Sequence, residues 1–107
     1  MAVYVDALRD WGWKHGPNSH LIADSNEELH AFAQSIGLKR SWFQTNSVPH
    51  YDLSQRYRGI ALKAGAVPLD YREMAKRVVK WKRIAAERLR QCATEEERDL
   101  VRKELYA

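Results

Sequence analysis

The hydrophobic and polar positions of this chain change rhythm several times, and each change predicts an element. Val3-Tyr4-Val5 is β-branched and aromatic and runs straight into Asp6, the pattern of a short strand. His20-Leu21-Ile22-Ala23-Asp24 reads as a second strand that also ends on an aspartate. Between them, Asp10 to Ser19 holds Trp11, Trp13, Gly16, Pro17 and Asn18, a loop carrying bulky aromatics. Ser25 and Glu28 have the spacing of a capping box, in which a hydroxyl and a carboxylate satisfy amides at a helix start. Leu29, Phe32, Ala33 and Ile36 then share one helical face, and Gly37 supplies a left-handed stop.

Ser41-Trp42-Phe43-Gln44 predicts a third strand, and Asn46 to Pro49 a loop. A second helix is expected to open near Asp52, with Gln55 as capping partner. Leu53, Tyr57, Ile60, Ala61 and Ala64 form its face, and Gly65 ends it. Ala66-Val67-Pro68-Leu69 predicts a fourth strand, placed at an edge because proline has no amide to donate. Strands and helices that alternate through short loops are the signature of an α/β fold. The expectation is a small, mostly parallel sheet of three to four strands with flanking helices.

From Tyr71 onward the period is helical. Met74, Val78, Trp81, Ala85, Leu89 and Cys92 make an apolar stripe, with Arg72, Lys76, Lys80, Arg83 and Arg90 opposite. Thr94 and Glu97 form another capping box, and Leu100, Val101 and Leu105 give a last helix its face. The reading is therefore an α/β domain over residues 1–70 and a C-terminal basic helical hairpin over 71–107, folded onto the sheet or projecting from it.

Charge sharpens this division. Residues 1–70 carry as many acidic as basic side chains, while residues 71–91 hold eight basic and two acidic ones, a net of +6. A long cationic stripe of this kind suits phosphates, so Arg72, Lys76, Lys80, Arg83 and Arg90 are candidate nucleic-acid contacts. A solvated helix face is the simpler reading of the same residues. The single cysteine, Cys92, excludes an intramolecular disulfide and a cysteine-based zinc site. No apolar run reaches the roughly 20 residues of a membrane span. The N-terminus lacks the charged and apolar regions of a signal peptide, so the expected compartment is the cytoplasm, with no membrane partner.

Ligands of open α/β sheets bind beyond the carboxyl ends of the strands. That rule gathers Asp6, Asp24 and Gln44, followed by His50 and Asp52. Asp6, Asp24 and Asp52 are candidate ligands for a hard divalent cation such as Mg²⁺ or Mn²⁺. His50, beside Asp52, is the candidate general base. Arg9, Gln44, Arg56 and Arg58 are candidate contacts to substrate phosphate. Asp24 and Asp52 also stand where acidic residues cap helices, whereas Asp6 has no such duty. Among the other histidines, His15 reads as solvated, His20 lies at the strand end opposite Asp24 and so away from this site, and His30 reads as a boundary residue.

The chain resembles a family of small bacterial and phage proteins, domain-of-unknown-function family 4031, over about residues 1–70. The matching pieces are Val3-Tyr4-Val5-Asp6, His20-Leu21-Ile22-Ala23-Asp24, Glu28-Leu29-His30-Ala31-Phe32-Ala33, Trp42-Phe43-Gln44, His50-Tyr51-Asp52-Leu53 and Gly65-Ala66-Val67. The resemblance implies that Asp6, His20, Asp24, His30, Trp42, His50 and Asp52 belong to the family pattern, more polar residues than a core requires. Where that pattern has a serine-lysine-arginine run, this chain has Ser54-Gln55-Arg56, so no role of the lysine carries over. The family brings no activity with it. Two functions are expected from the residues: binding or hydrolysis of a phosphate-containing ligand, nucleotide or nucleic acid, or a non-enzymatic adaptor that docks on a protein partner through its C-terminal helices.

Overall fold

The computed structural model describes residues 2–10, 12, 14 and 16–107. Trp11, Trp13 and His15, read above as part of an aromatic loop, lie outside the described residues. The chain forms β1 (Val3–Val5), β2 (Asn18–Ala23), α1 (Asn26–Ser35), a 3₁₀ turn at Arg40–Trp42, β3 (Phe43–Gln44), β4 (His50–Ser54), α2 (Gln55–Lys63), β5 (Val67–Pro68), α3 (Tyr71–Arg90) and α4 (Glu95–Leu105).

The five strands make one sheet in the order β3-β4-β2-β1-β5. It is mixed, not mostly parallel as the element order led one to expect. β2 runs antiparallel to both β1 and β4, β3 runs antiparallel to β4, and only β1 and β5 are parallel. The difference arises at His50–Ser54, expected to be a loop leading into a helix and found as a strand second from the sheet edge. Tyr51 and Leu53 are buried while His50, Asp52 and Ser54 face the other way, which is strand alternation. Asp52 consequently caps no helix. Ser54 does so instead, its hydroxyl accepting from the Tyr57 amide at 3.3 Å.

Alternation gives the sheet two different faces. On one, Val5, Leu21, Tyr51 and Leu53 are buried against Leu29 and Ala33 of α1 and Ala61 of α2. On the other, Tyr4 and Ile22 meet Leu69 and Met74, with Val78 packed alongside. The sheet thus lies between α1 and α2 on one side and α3 on the other. The capping box at Ser25 forms as its spacing requires, the hydroxyl accepting from the Glu28 amide at 3.2 Å. Gly37 and Gly65 end α1 and α2 at φ of 91° and 105°, a region open chiefly to glycine.

α3 buries Met74 and Ala85, half-buries Val78, Trp81 and Leu89, and leaves its cationic stripe exposed. α4 folds back along α3, and its end docks on α1. Asn26 Nδ2 donates to the Leu105 carbonyl at 2.8 Å, and Arg40 Nη2 to the Ala107 carbonyl at 3.0 Å. Leu105 is buried, whereas Leu100, expected on the same inward face, is exposed. Among the described residues no helix is long and apolar enough to cross a membrane.

Candidate functional site

The sheet face beneath α3 is apolar at one end and polar at the other. His20 and Asp52 are directly opposed partners in the β2–β4 ladder. His50 lies two residues before Asp52 on the same face, and Gln44 is the ladder partner of His50 across β3. Asp6, just beyond β1, closes the group. Its amide donates to the His20 carbonyl at 3.3 Å, and its Oδ1 accepts from the His20 amide at 2.6 Å.

The hydrogen bonds fix which imidazole nitrogen carries the proton in each neutral ring. His20 Nδ1 lies 2.8 Å from Asp6 Oδ2, and His50 Nδ1 lies 2.7 Å from the Val48 carbonyl oxygen. Carboxylate and carbonyl oxygens only accept, so each Nδ1 is the donor. In those neutral forms each Nε2 carries a lone pair, and both Nε2 atoms point at one oxygen. Asp52 Oδ1 is 3.7 Å from His20 Nε2 and 3.4 Å from His50 Nε2. Its other oxygen, Oδ2, accepts from Gln44 Nε2 at 2.5 Å. The ligand atoms of His20, His50 and Asp52 all lie within 4.8 Å of one another.

Three acceptors converging in this way repel one another unless a proton or a cation sits between them. The ionisation equilibria follow that logic. The hydrogen bond to Asp6 holds His20 above its ordinary value, against burial, with the charges of Asp6 and Asp52 adding to the effect. His50 chiefly holds the Asp52 carboxyl below its ordinary value, again against burial, with help from Gln44 and the charge of His20. Burial is graded across the group: the His50 side chain is 8% exposed, Asp52 26% and His20 35%, so the cluster opens to solvent on the His20 side.

That opening is a pocket of about 610 Å³ between the sheet and α3. The polar group forms its floor with Asn18 and Arg9. Tyr71, Met74, Ala75, Val78 and Val79 form the α3 wall. Asn18 is 8% exposed, and its Oδ1 finds no donor among the described residues.

The structure brings Asp6, Gln44, His50 and Asp52 together and places Arg9 at the same pocket. Asp24 is elsewhere, because β2 runs antiparallel to β1 and carries its end to the opposite edge. There its carboxylate accepts from the Tyr4 hydroxyl at 3.1 Å and the Ala2 amide at 3.0 Å, and it meets Arg77 at 3.5 Å. Arg58 donates from Nε to the Asp6 carbonyl at 2.8 Å, bracing the strand end, and Arg56 is exposed on α2. Arg72, Lys76, Lys80, Arg83 and Arg90 are all exposed on α3.

His20, expected to be remote, stands at the centre of the group. The same reversal of β2 that removes Asp24 delivers it. Asn18 and the α3 wall were also missed. The signal for His20 was its place within a predicted strand, legible only once β4 is also known to be a strand.

The chain belongs to the family described as "Protein of unknown function (DUF4031)", whose model matches residues 3–81. The match takes in every residue of the polar group and the first half of α3. No curated protein matches the chain, and no solved structure does.

Proposed function

We propose that this protein is a divalent-metal-dependent phosphoester hydrolase, with His20 Nε2, His50 Nε2 and Asp52 Oδ1 as the metal ligands. The observation that carries this reading is the pair of separations at Asp52 Oδ1, 3.4 and 3.7 Å. Both exceed the usual 2.7–3.2 Å of an N–H···O hydrogen bond. Two ligands held about 2.1 Å from one tetrahedral ion stand roughly 3.4 Å apart. Asp6 and the Val48 carbonyl then act as the outer partners that metal-bound imidazoles need for fixed tautomer and orientation.

Two nitrogens and one oxygen suit a borderline ion, Zn²⁺ or Mn²⁺, better than Mg²⁺, which prefers oxygen ligands throughout. Three protein ligands leave coordination positions open toward the pocket, as a catalytic site requires. This reading makes His50 a ligand in place of the general base. Its Nδ1 is committed to Val48, and its Nε2 is turned toward Asp52. A bound ion lowers the pKa of coordinated water toward neutrality and polarises a phosphoryl oxygen. Hydrolysis there would join the water oxygen to phosphorus and break the P–O bond to the ester oxygen, which would take up a proton in place of the one the water gives to solvent. Arg9 supports phosphate at the pocket and Asn18 Oδ1 offers an acceptor to a donor on the substrate.

Calorimetric titration of the full chain with Zn²⁺, Mn²⁺ and Mg²⁺ tests the site, and release of nitrophenol from bis(p-nitrophenyl) phosphate tests the chemistry. One Zn²⁺ per chain is expected, lost in His20→Ala and Asp52→Ala, with turnover that depends on the added ion. Wild type that binds neither Zn²⁺ nor Mn²⁺ would end this reading.

A further inference from the structure

We infer that the phosphoester this site acts on belongs to a single-stranded nucleic acid, whose backbone follows the Arg72–Lys76–Lys80–Arg83 edge of α3 and turns one nucleotide into the pocket. The inference takes the metal site proposed above as its catalytic end and names the substrate class.

The argument begins with the helix. At 100° per residue, Arg72, Lys76, Lys80 and Arg83 fall within about 80° of one another around α3. All four are exposed, and none meets an acidic partner among the described residues. The other arginines of the helix are committed: Arg77 to Asp24, Arg88 to Glu104 and Arg90 to Glu87. The positive charge left to solvent is therefore concentrated in the first two thirds of α3. Arg90, read from the sequence as part of the stripe, is not in that set.

The stripe also has a fixed relation to the pocket. Tyr71, Ala75 and Val79 line the pocket, and each is followed at once by a cation of the stripe, Arg72, Lys76 and Lys80. The cations thus run along the rim of the cavity that ends at His20 and Asp52. Arg72 to Arg83 covers about 16 Å of helix axis, so its four cations can meet several phosphates of one strand.

Two further features fit nucleotides rather than an acidic peptide. Tyr71 is 71% exposed at the pocket rim with the Arg9 guanidinium 5.3 Å from its ring centre, an aromatic among cations on which a base can stack. Asn18 Oδ1 is buried in the pocket without a donor among the described residues, which suits a base amine or a sugar hydroxyl. A nucleotide reaches this depth between sheet and helix only when it is out of a base-paired stack, hence a single strand.

Fluorescence anisotropy of the full chain with a labelled 15-nucleotide single strand tests the inference. Comparison is made with the same sequence as a duplex and with a glutamate-rich peptide of similar charge. With four phosphates neutralised, the log–log salt slope is expected near −3, a loss of about fifty-fold in affinity between 50 and 200 mM salt. The triple variant Lys76→Gln, Lys80→Gln, Arg83→Gln, confined to exposed positions, is expected to bind the strand at least tenfold more weakly with a shallower slope. Tyr71→Ala is expected to lose roughly tenfold.

Zn²⁺ affinity of the triple variant should equal that of wild type, which separates this inference from the metal reading. Salt-independent binding, an unaffected triple variant, or equal affinity for the acidic peptide or the duplex would overturn the inference while Zn²⁺ binding stood. Failure of Zn²⁺ binding alone would remove the catalytic end and leave a strand-binding stripe.

Discussion

His20 and Asp52 face each other as paired residues of two antiparallel strands, with the imidazole Nε2 3.7 Å from the carboxylate Oδ1. What makes the pair chemically consequential lies on its far side, where Asp6 accepts a hydrogen bond from Nδ1 and so, in the neutral ring, turns the Nε2 lone pair toward Asp52. The relationship depends on a carboxylate outside the three proposed ligands.

Asp6→Asn tests that dependence. An asparagine keeps one oxygen for the His20 amide but presents an N–H donor to Nδ1, which favours the tautomer protonated at Nε2. Zn²⁺ affinity should fall by about 10- to 100-fold, the usual effect of removing such a partner. Calorimetry reads the loss, and an unchanged circular dichroism spectrum shows that the fold persists. Wild-type affinity in the variant would remove Asp6 from the positioning role.

The metal-free protein should carry a pH signature. Because the folded His20 sits above its ordinary value of 6.5, the stability it contributes is complete below that pH. That contribution is lost as pH rises through the folded-state value. Asp52 is lowered, so its contribution is present above about 3.8 and is lost as acid protonates it. In chelator, where no ion competes for the imidazole, His20→Asn should flatten the gain in Tm that wild type shows as pH falls toward 6.5 from above. Parallel Tm profiles for the two proteins would count against the linkage.

Two glycines should respond in opposite directions. Gly65 has φ 105°, so Gly65→Ala should destabilise by about 1–2 kcal/mol. Gly59 lies inside α2, and an added Cβ there meets nothing within 4 Å, so Gly59→Ala should stabilise by about 0.5–1 kcal/mol. Urea denaturation distinguishes them, and a destabilising Gly59→Ala would show that the α2 surface is less open than described.

The back of the site strand is tied to the end of α4. His30 lies 2.8 Å from the Tyr51 hydroxyl through Nδ1 and 2.7 Å from the Ala107 carbonyl oxygen through Nε2. His30→Phe preserves an aromatic beside Phe43, whose ring centre lies 4.5 Å away, but leaves the Tyr51 hydroxyl without its partner. A cost of about 1–3 kcal/mol is expected. Adding Tyr51→Phe should recover part of it, and strict additivity in denaturant unfolding would argue that the two side chains are not coupled.

Much of this architecture could be read locally. The capping box at Ser25, the stops at Gly37 and Gly65, the edge position of Pro68 and the two stripes of α3 each depend on residues within a few turns of one another. The hydrogen bonds and periodicities behind them close over short distances. The sequence also singled out Asp6, His50 and Asp52, Asp6 because it follows a strand with no capping duty and the other two because an imidazole stands beside a carboxylate.

Strand direction belonged to the tertiary structure. Whether β2 lies parallel or antiparallel to β1 is decided by ladders between residues such as Val5 and Leu21, distant in the chain, and by which face must meet the helices. That choice sent Asp24 to the far edge and set His20 opposite Asp52. Alternation by itself says which residues share a face, and only the order and direction of the strands decide which of them become neighbours.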